Sequence, residues 1–401
     1  MGQAARKKRI LAPLQRIGLN KINDIAAGLK EQFGEAKAEE IMNEWERLSA
    51  LPGTAEGAGA QNALYEYLNS DFALSMLVAC YTDAAIIRQF ALWIYEHREL
   101  FGGTILDVGC GTGILTCFLA LVLPEARIVA VDRSENCIRT ARKIQEIMQA
   151  ENVEFCRLTA EELQGRTFST VLSARTFHEN IGIRRTEYRF RGFSEQAEIY
   201  RQIYLPYCRT LSERTAPGGT LICMERNHMD TEFYGMLQAL ADCGCRVRPD
   251  SLTELSCEES DFREKSSFLC MTADRTACGE ADAEPDALDR EELFRVWSER
   301  AFSRSGDPEH FTRPQTDWYV EQHAGELLEG YATYDDSGTQ LARACLYRDR
   351  SDPDVFLMHQ ANYGQAGVQV LPMEALGEAR EIFADHRRVD AARGFQVKPV
   401  I

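Results

Sequence analysis

The sequence predicts an α/β protein: a doubly wound, mostly parallel sheet with a helical cap before it and a small α+β unit after it. Three observations carry this. Beyond Gly103 short apolar strands and helices alternate strictly, which calls for right-handed crossovers and a sheet covered on both faces. The first hundred residues carry apolar residues at helical spacing and no strand pattern. The stretch "DRTACGEADAEPDALDREE" is acidic and poor in large apolar residues, as a linker is. The expected division is a helical cap over 1–100, a core over 101–273, an acidic linker over 274–290 and an accessory unit over 291–401.

Leu14, Ile17, Ile22, Ile25, Leu29 and Phe33 predict a first helix, and "AEEIMNEWERLSAL" a second. "PGTAEGAGAQN" interrupts with Pro and Gly, and a helix ending near "WIYEHREL" leads into the core. There "TILDVG" is a strand, "ILTCFLALVL" an apolar helix and "RIVAVD" a second strand. "SENCIRTARKIQEIMQA" is an amphipathic helix with Ser134 as its N-cap. "VEFCRLT", "STVLSA" and "APGGTLICMER" are further strands, the last preceded by the helix "SEQAEIYRQIYLPYCRTL". After the helix "TEFYGMLQALADCGC", "SLTELSCEES" and "REKSSFLCMTA" read as an antiparallel pair. The accessory unit is expected to hold the helix "REELFRVWSERAF", strands at "LARACLYRD", "DVFLMHQA" and "GVQVLP", and the closing helix "MEALGEAREIFADHRRVDAAR".

Composition narrows the function classes. The chain has 401 residues, a net charge of −17 and 13 cysteines. That acidity argues against nucleic acid and against an anionic membrane as partners. A basic cluster at Arg6, Lys7, Lys8 and Arg9 is followed by no apolar signal-peptide core, so a cytoplasmic protein with reduced thiols is expected. The apolar run from Phe72 to Tyr95 contains Asp83 and Arg88, each costing roughly 2.5–3.5 kcal/mol at a bilayer centre, and is read as buried helix. The spacing of Cys243, Cys245, Cys257 and Cys270 is not that of paired C-x-x-C knuckles, so no metal is expected.

The chemistry lies in "ILDVGCGTGILT". Gly109, Gly111 and Gly113 let backbone N–H groups approach a ligand. Ile114 stands where a dinucleotide fingerprint needs Gly, and the Gly-Lys-Ser/Thr of a P-loop is absent. Asp107, two residues before Gly109, suits an ammonium or a water network better than a pyrophosphate. Asp132 ends the next strand, placed to accept both hydroxyls of a ribose.

In these motifs the chain resembles the class I S-adenosylmethionine (SAM)-dependent methyltransferases over roughly Phe101 to Ala273. "LDVGCGTG", "VDRS" and "APGGTLIC" fall in family order, and the terminal strand pair is similar to the hairpin that closes the family's seven-stranded sheet. The resemblance implies SAM as cofactor. It places Asp107, Gly109, Cys110, Gly111 and Gly113 around the methionine end and Asp132 with Arg133 at the ribose. Thr159, Ala160 and Glu161, in "RLTAEEL", would read the adenine, where the family often has an acidic residue. Ser173, near the end of the fourth strand, completes the cofactor-binding candidates.

The acceptor is expected after that strand, in "SARTFHEN". No Asn/Asp-Pro-Pro-Tyr/Phe tetrapeptide and no nucleophilic cysteine occur there. Arg175, His178 and Glu179 are the candidate catalytic groups, with His178 as general base or simply a hydrogen-bonding loop residue. Arg189 and Arg191, in "IGIRRTEYRFRGF", are candidate acceptor-binding residues, or a solvated face. The expected acceptor is a small, anionic or aromatic molecule. The alternatives are an RNA or protein methyltransferase using Arg184 to Arg191, and a non-catalytic SAM-binding protein. "NYGQAGVQV" resembles the strand-turn part of a WGR module, with Tyr363-Gly364-Gln365 in place of Trp-Gly-Arg.

Overall fold

The computed structural model describes residues 2–50, 57–177, 188–226, 229–258, 265–276 and 287–400. They cluster into two compact units that interleave along the chain. One comprises 1–182, 205–228 and 240–285, the other 183–204, 229–239 and 286–401. Two stretches of the expected core region, 183–204 and 229–239, thus cluster with the C-terminal residues.

The first unit opens with helices α1 (Gln3–Ile10), α2 (Ala12–Arg16), α3 (Ile25–Phe33), α4 (Glu35–Ser49), α5 (Gly57–Leu68), α6 (Phe72–Thr82) and α7 (Ala84–Glu96). The helical periodicity from Leu14 to Phe33 is split between α2 and α3, because Gly18 adopts φ +77° and ends the first of them. The apolar run from Phe72 to Tyr95 breaks at Asp83 into α6 and α7, bent by 78°. No single helix among the described residues is long and apolar enough to cross a membrane.

The sheet follows from buried β-branched strands, which in a parallel sheet are apolar on both faces. It comprises β1 (Thr104–Val108), β2 (Arg127–Asp132), β3 (Val153–Arg157), β4 (Phe168–Ala174), β5 (Thr215–Arg226), β6 (Cys245–Val247), β7 (Thr253–Glu258) and β8 (Lys265–Arg275). The order is β3-β2-β1-β4-β5-β8-β6, with β7 also pairing β8. Pairings from β3 through β5 are parallel, and β8 runs antiparallel to β5. The outermost position is shared: β6 pairs the end of β8 (Val247 opposite Ala273) and β7 its beginning (Thr253 opposite Cys270). A turn at Pro249–Ser251 separates the two, so eight strands fill the seven expected positions. This order, parallel from β3 through β5 and antiparallel at β8, is the mostly parallel doubly wound sheet that the sequence predicts.

Helix α8 (Ile114–Val122) is apolar all round because it is buried, with Cys117, Phe118 and Leu119 at 1 % exposure or less. Helix α9 (Glu135–Met148) buries Ile138, Ala141 and Ile144 and starts at Ser134, whose Oγ accepts the Cys137 N–H at 3.1 Å. Helix α10 (Phe193–Arg214) carries Pro206 inside it, and α11 (Thr231–Asp242) follows β5.

The second unit holds α12 (Ala287–Ala301), α13 (Arg313–His323) and a five-stranded antiparallel sheet. Its strands are β9 (Ala324–Tyr334), β10 (Gln340–Asp349), β11 (Val355–Asn362), β12 (Ala366–Pro372) and β13 (Gln396–Pro399), ordered β12-β11-β10-β9-β13. Helix α14 (Leu376–Ala392) packs Ala379 and Phe383 against Tyr331, Ala344, Leu346 and Phe356.

Candidate functional site

The glycine turn leaves the carboxyl end of β1 and enters α8. Gly109, Gly111 and Gly113 all have positive φ (+67°, +53° and +70°), open to glycine at no steric cost. Their surroundings separate their roles. A Cβ on Gly113 would lie 2.7 Å from the Ala141 methyl and 2.8 Å from the Phe155 ring, so this glycine lets α8, α9 and β3 close together. A Cβ on Gly111 would meet nothing within 4 Å. That position stands open on the cavity side.

Asp107 is buried at the end of β1 and accepts a 2.6 Å hydrogen bond from the Thr116 hydroxyl. Burial pushes its carboxyl up from 3.8 to about 7; Thr116 pulls it down and the nearby Asp132 adds to the rise. Asp132, at the end of β2, accepts the Gly111 N–H at 2.9 Å on one carboxylate oxygen and the Ser134 N–H at 2.8 Å on the other. It too is raised, chiefly by burial, against the pull of those two amides. Each oxygen keeps a lone pair beyond these bonds. Among the described residues no salt bridge reaches either carboxylate, so the two favour a cation or a polyol between them.

Both carboxylates line one cavity of about 660 Å³ at the carboxyl ends of the parallel strands, where open α/β sheets bind ligands. Gly109, Cys110, Gly111, Arg133, Thr159, Ala160, Glu161 and Arg175 line it as well. Gly113 and Ser173 are not among its lining residues. Ser173 is buried, its hydroxyl 2.5 Å from that of Thr176.

Arg175 is one of few non-glycine residues with positive φ (+60°). Its N–H donates to the Met224 carbonyl at 2.9 Å, and its guanidinium pairs with Asp83 at the break between α6 and α7. Thr176, Tyr207 and Glu225 also line the cavity and escaped the sequence reading. The Thr176 hydroxyl bonds Tyr207, from α10, at 2.7 Å, and the Thr176 N–H donates to Glu225 at 3.1 Å. Glu225 had a readable signal, since "ICMER" ends a strand at the ligand edge of the sheet. Tyr207 had none, because helical spacing along α10 does not reveal which side meets a neighbouring strand.

His178 and Glu179 lie outside the described residues. Arg189 and Arg191 do not line the cavity. They belong to the second unit, where Arg189 donates to the Tyr363 carbonyl at 2.5 Å and lies over its ring, and Arg191 pairs with Glu195 at 3.1 Å. The neighbouring backbone is held there too, the Arg343 guanidinium donating to the Phe190 carbonyl at 3.0 Å.

Part of the chain is similar to known proteins. A family model described as a methyltransferase domain matches residues 101–242. The ribosomal RNA small subunit methyltransferase C of Yersinia enterocolitica is 29% identical over 118 residues, covering 29% of this chain and 33% of that protein. The malonyl-[acyl-carrier protein] O-methyltransferase of Acetivibrio thermocellus is 43% identical over 74 residues (18% and 25%). The ribosomal RNA small subunit methyltransferase G of Chlorobium chlorochromatii is 32% identical over 101 residues (24% and 43%). The chain thus spans less than half the length of each. The ribosomal RNA enzymes among these relatives overturn the expectation that nucleic acid is not a partner, and the relatives leave the acceptor itself undetermined. That expectation rested on a net charge of −17, which is a sum over the whole molecule, whereas contact with a phosphate backbone depends on where cations stand.

Proposed function

Starting from residues 101–242 as a class I, SAM-dependent methyltransferase domain, we propose that the protein transfers a methyl group from SAM to an acceptor entering the cavity beside Arg175. One observation carries the reading: Asp107, Gly111 and Asp132 meet in a single cavity at the carboxyl ends of β1 and β2.

The residues fit the cofactor. Asp107 is a buried carboxylate whose ionisation burial opposes, and an ammonium would offset that cost. Gly111 presents bare backbone. Asp132 is fixed by two amides with lone pairs left for a pair of ribose hydroxyls. Thr159, Ala160 and Glu161 border the same cavity for the adenine edge. When bound, SAM supplies an electrophilic methyl group on a sulfonium.

Displacement at that carbon needs alignment more than acid–base chemistry. Arg175, held by Asp83, and the hydroxyl of Tyr207, held by Thr176, border the acceptor end and would orient it. His178 and Glu179 follow within four residues of Arg175 and would take a proton if the attacking atom must lose one.

The ribosomal RNA enzymes among the relatives support RNA as the first acceptor to test. Ribosomal RNA and small ribosomal subunits lacking modification would be incubated with protein and methyl-tritiated SAM. Label in RNA, lost with Asp132→Ala, is expected. Tight SAM binding with no label in RNA would overturn the RNA acceptor.

A further inference from the structure

Helix α5 joins the core by polar bonds and shows its apolar side to the cavity. Leu64, Tyr65 and Leu68 line that cavity, with Trp45 of α4. The Glu66 carboxylate accepts the backbone N–H of Glu135 at 2.9 Å and of Asn136 at 3.3 Å. The Asn136 side-chain amide donates to the Glu66 carbonyl at 2.7 Å, and Arg139 donates to the Ser70 carbonyl at 2.8 Å. The first turn of α9 is therefore capped twice. Ser134 takes the Cys137 amide from within, and Glu66 takes the two preceding amides from another element. Ser134 in turn gives its own N–H to Asp132. A line of hydrogen bonds thus runs from α5 through the start of α9 to the proposed ribose carboxylate.

We propose that Glu66 is a positioning residue for the ribose turn, and that α5 is a lid whose closed state the bound adenosyl cofactor stabilises. The proposal rests on the cofactor reading above. Leu64 and Tyr65 are only half-buried, so a filled cavity gives them the apolar contact they otherwise lack. A ligand that touches the closed state alone shifts the population toward it and leaves slowly. The Glu66 carboxylate also faces the positive, N-terminal end of the α9 dipole, where an anion is stabilised.

The test is the dissociation rate of S-adenosylhomocysteine from the full chain, followed by stopped flow on Trp45 fluorescence. Wild type, Glu66→Ala, Glu66→Gln and Asn136→Ala would be compared, with hydrogen exchange of residues 63–68 beside them. Loss of a helix cap predicts dissociation faster by about tenfold in Glu66→Ala. Glu66→Gln, which keeps one accepting oxygen, should fall between, as should Asn136→Ala. Ligand should protect 63–68 in wild type and much less in Glu66→Ala. Equal rates in all four, or no ligand-dependent protection of 63–68, would overturn the lid while the cofactor reading stands. No binding by wild type would overturn both.

Discussion

The Gly111 N–H donates to the Asp132 carboxylate at 2.9 Å, tying the glycine turn after β1 to the end of β2. The bond fixes both partners at once: it orients the carboxylate and holds Gly111 at φ +53° with open space where a Cβ would stand. Methionine end and ribose end of the proposed site are thereby set by one contact.

Gly111→Ala and Gly113→Ala should therefore fail differently. At 111 the added methyl meets no protein atom, so the variant folds, with a cost of about 1 kcal/mol for alanine at positive φ, and loses SAM affinity. At 113 the methyl would press on Ala141 and Phe155, and thermal unfolding should report a loss of roughly 1–3 kcal/mol or more. Unfolding curves and calorimetry on both variants check this.

Asp107→Asn should exchange affinity for stability. Its carboxyl titrates at about 7 in the fold against 3.8 ordinarily, so the folded state holds the proton more tightly than the unfolded chain. The contribution is greatest below pH 4 and is lost as pH rises toward 7, about 4 kcal/mol in all. The variant escapes that loss. Its melting temperature should exceed wild type by a margin that grows from pH 4 to 7, while SAM binding weakens roughly tenfold or more. A constant margin would contradict the burial argument.

Arg175 is held at φ +60°, so Arg175→Gly should be more stable than Arg175→Ala by about 1 kcal/mol. Both lose the pair with Asp83. Both should keep SAM affinity and lose methyl transfer; the acceptor's KM and kcat, measured at saturating SAM, separate these effects.

In the second unit His359 is buried, and among the described residues neither ring nitrogen has a hydrogen-bond partner; Asp317 lies 4.0 Å away. Burial, with Arg343 and Arg313 nearby, lowers it from 6.5 to about 4. The unfolded chain takes the proton first, so stability is complete above pH 6.5 and is lost as pH falls to 4, roughly 3 kcal/mol. Asp317, raised to about 6 by burial, works in the opposite sense. His359→Leu should flatten the acid limb of the stability profile between pH 6.5 and 4, and leave Asp317's contribution.

Much of the first unit was legible because its signals are local. "TILDVG" and "RIVAVD" are continuous apolar strands, and Asp107, Gly109, Gly111 and Asp132 sit at the ends where such strands place ligand groups. What escaped was set by distant contact. β9 reads "AGELLEGYATY", with charged and glycine residues, yet it is a strand because β10 and β13 pair it on either side. β6 has three residues, too few for any period to show. Glu66 carries no motif; its role comes from α5 meeting the first turn of α9, 69 residues away. Composition marks Arg189 and Arg191 as candidate acceptor contacts or as a solvated face, and does not say that Tyr363 and Glu195 engage them.

The most direct test is calorimetric titration of SAM and S-adenosylhomocysteine into wild type and Asp132→Ala. Micromolar binding of both by wild type, abolished in a variant that remains folded, is the predicted result. Absence of binding by wild type, or binding that survives Asp132→Ala unchanged, would contradict the cofactor site at the ends of β1 and β2.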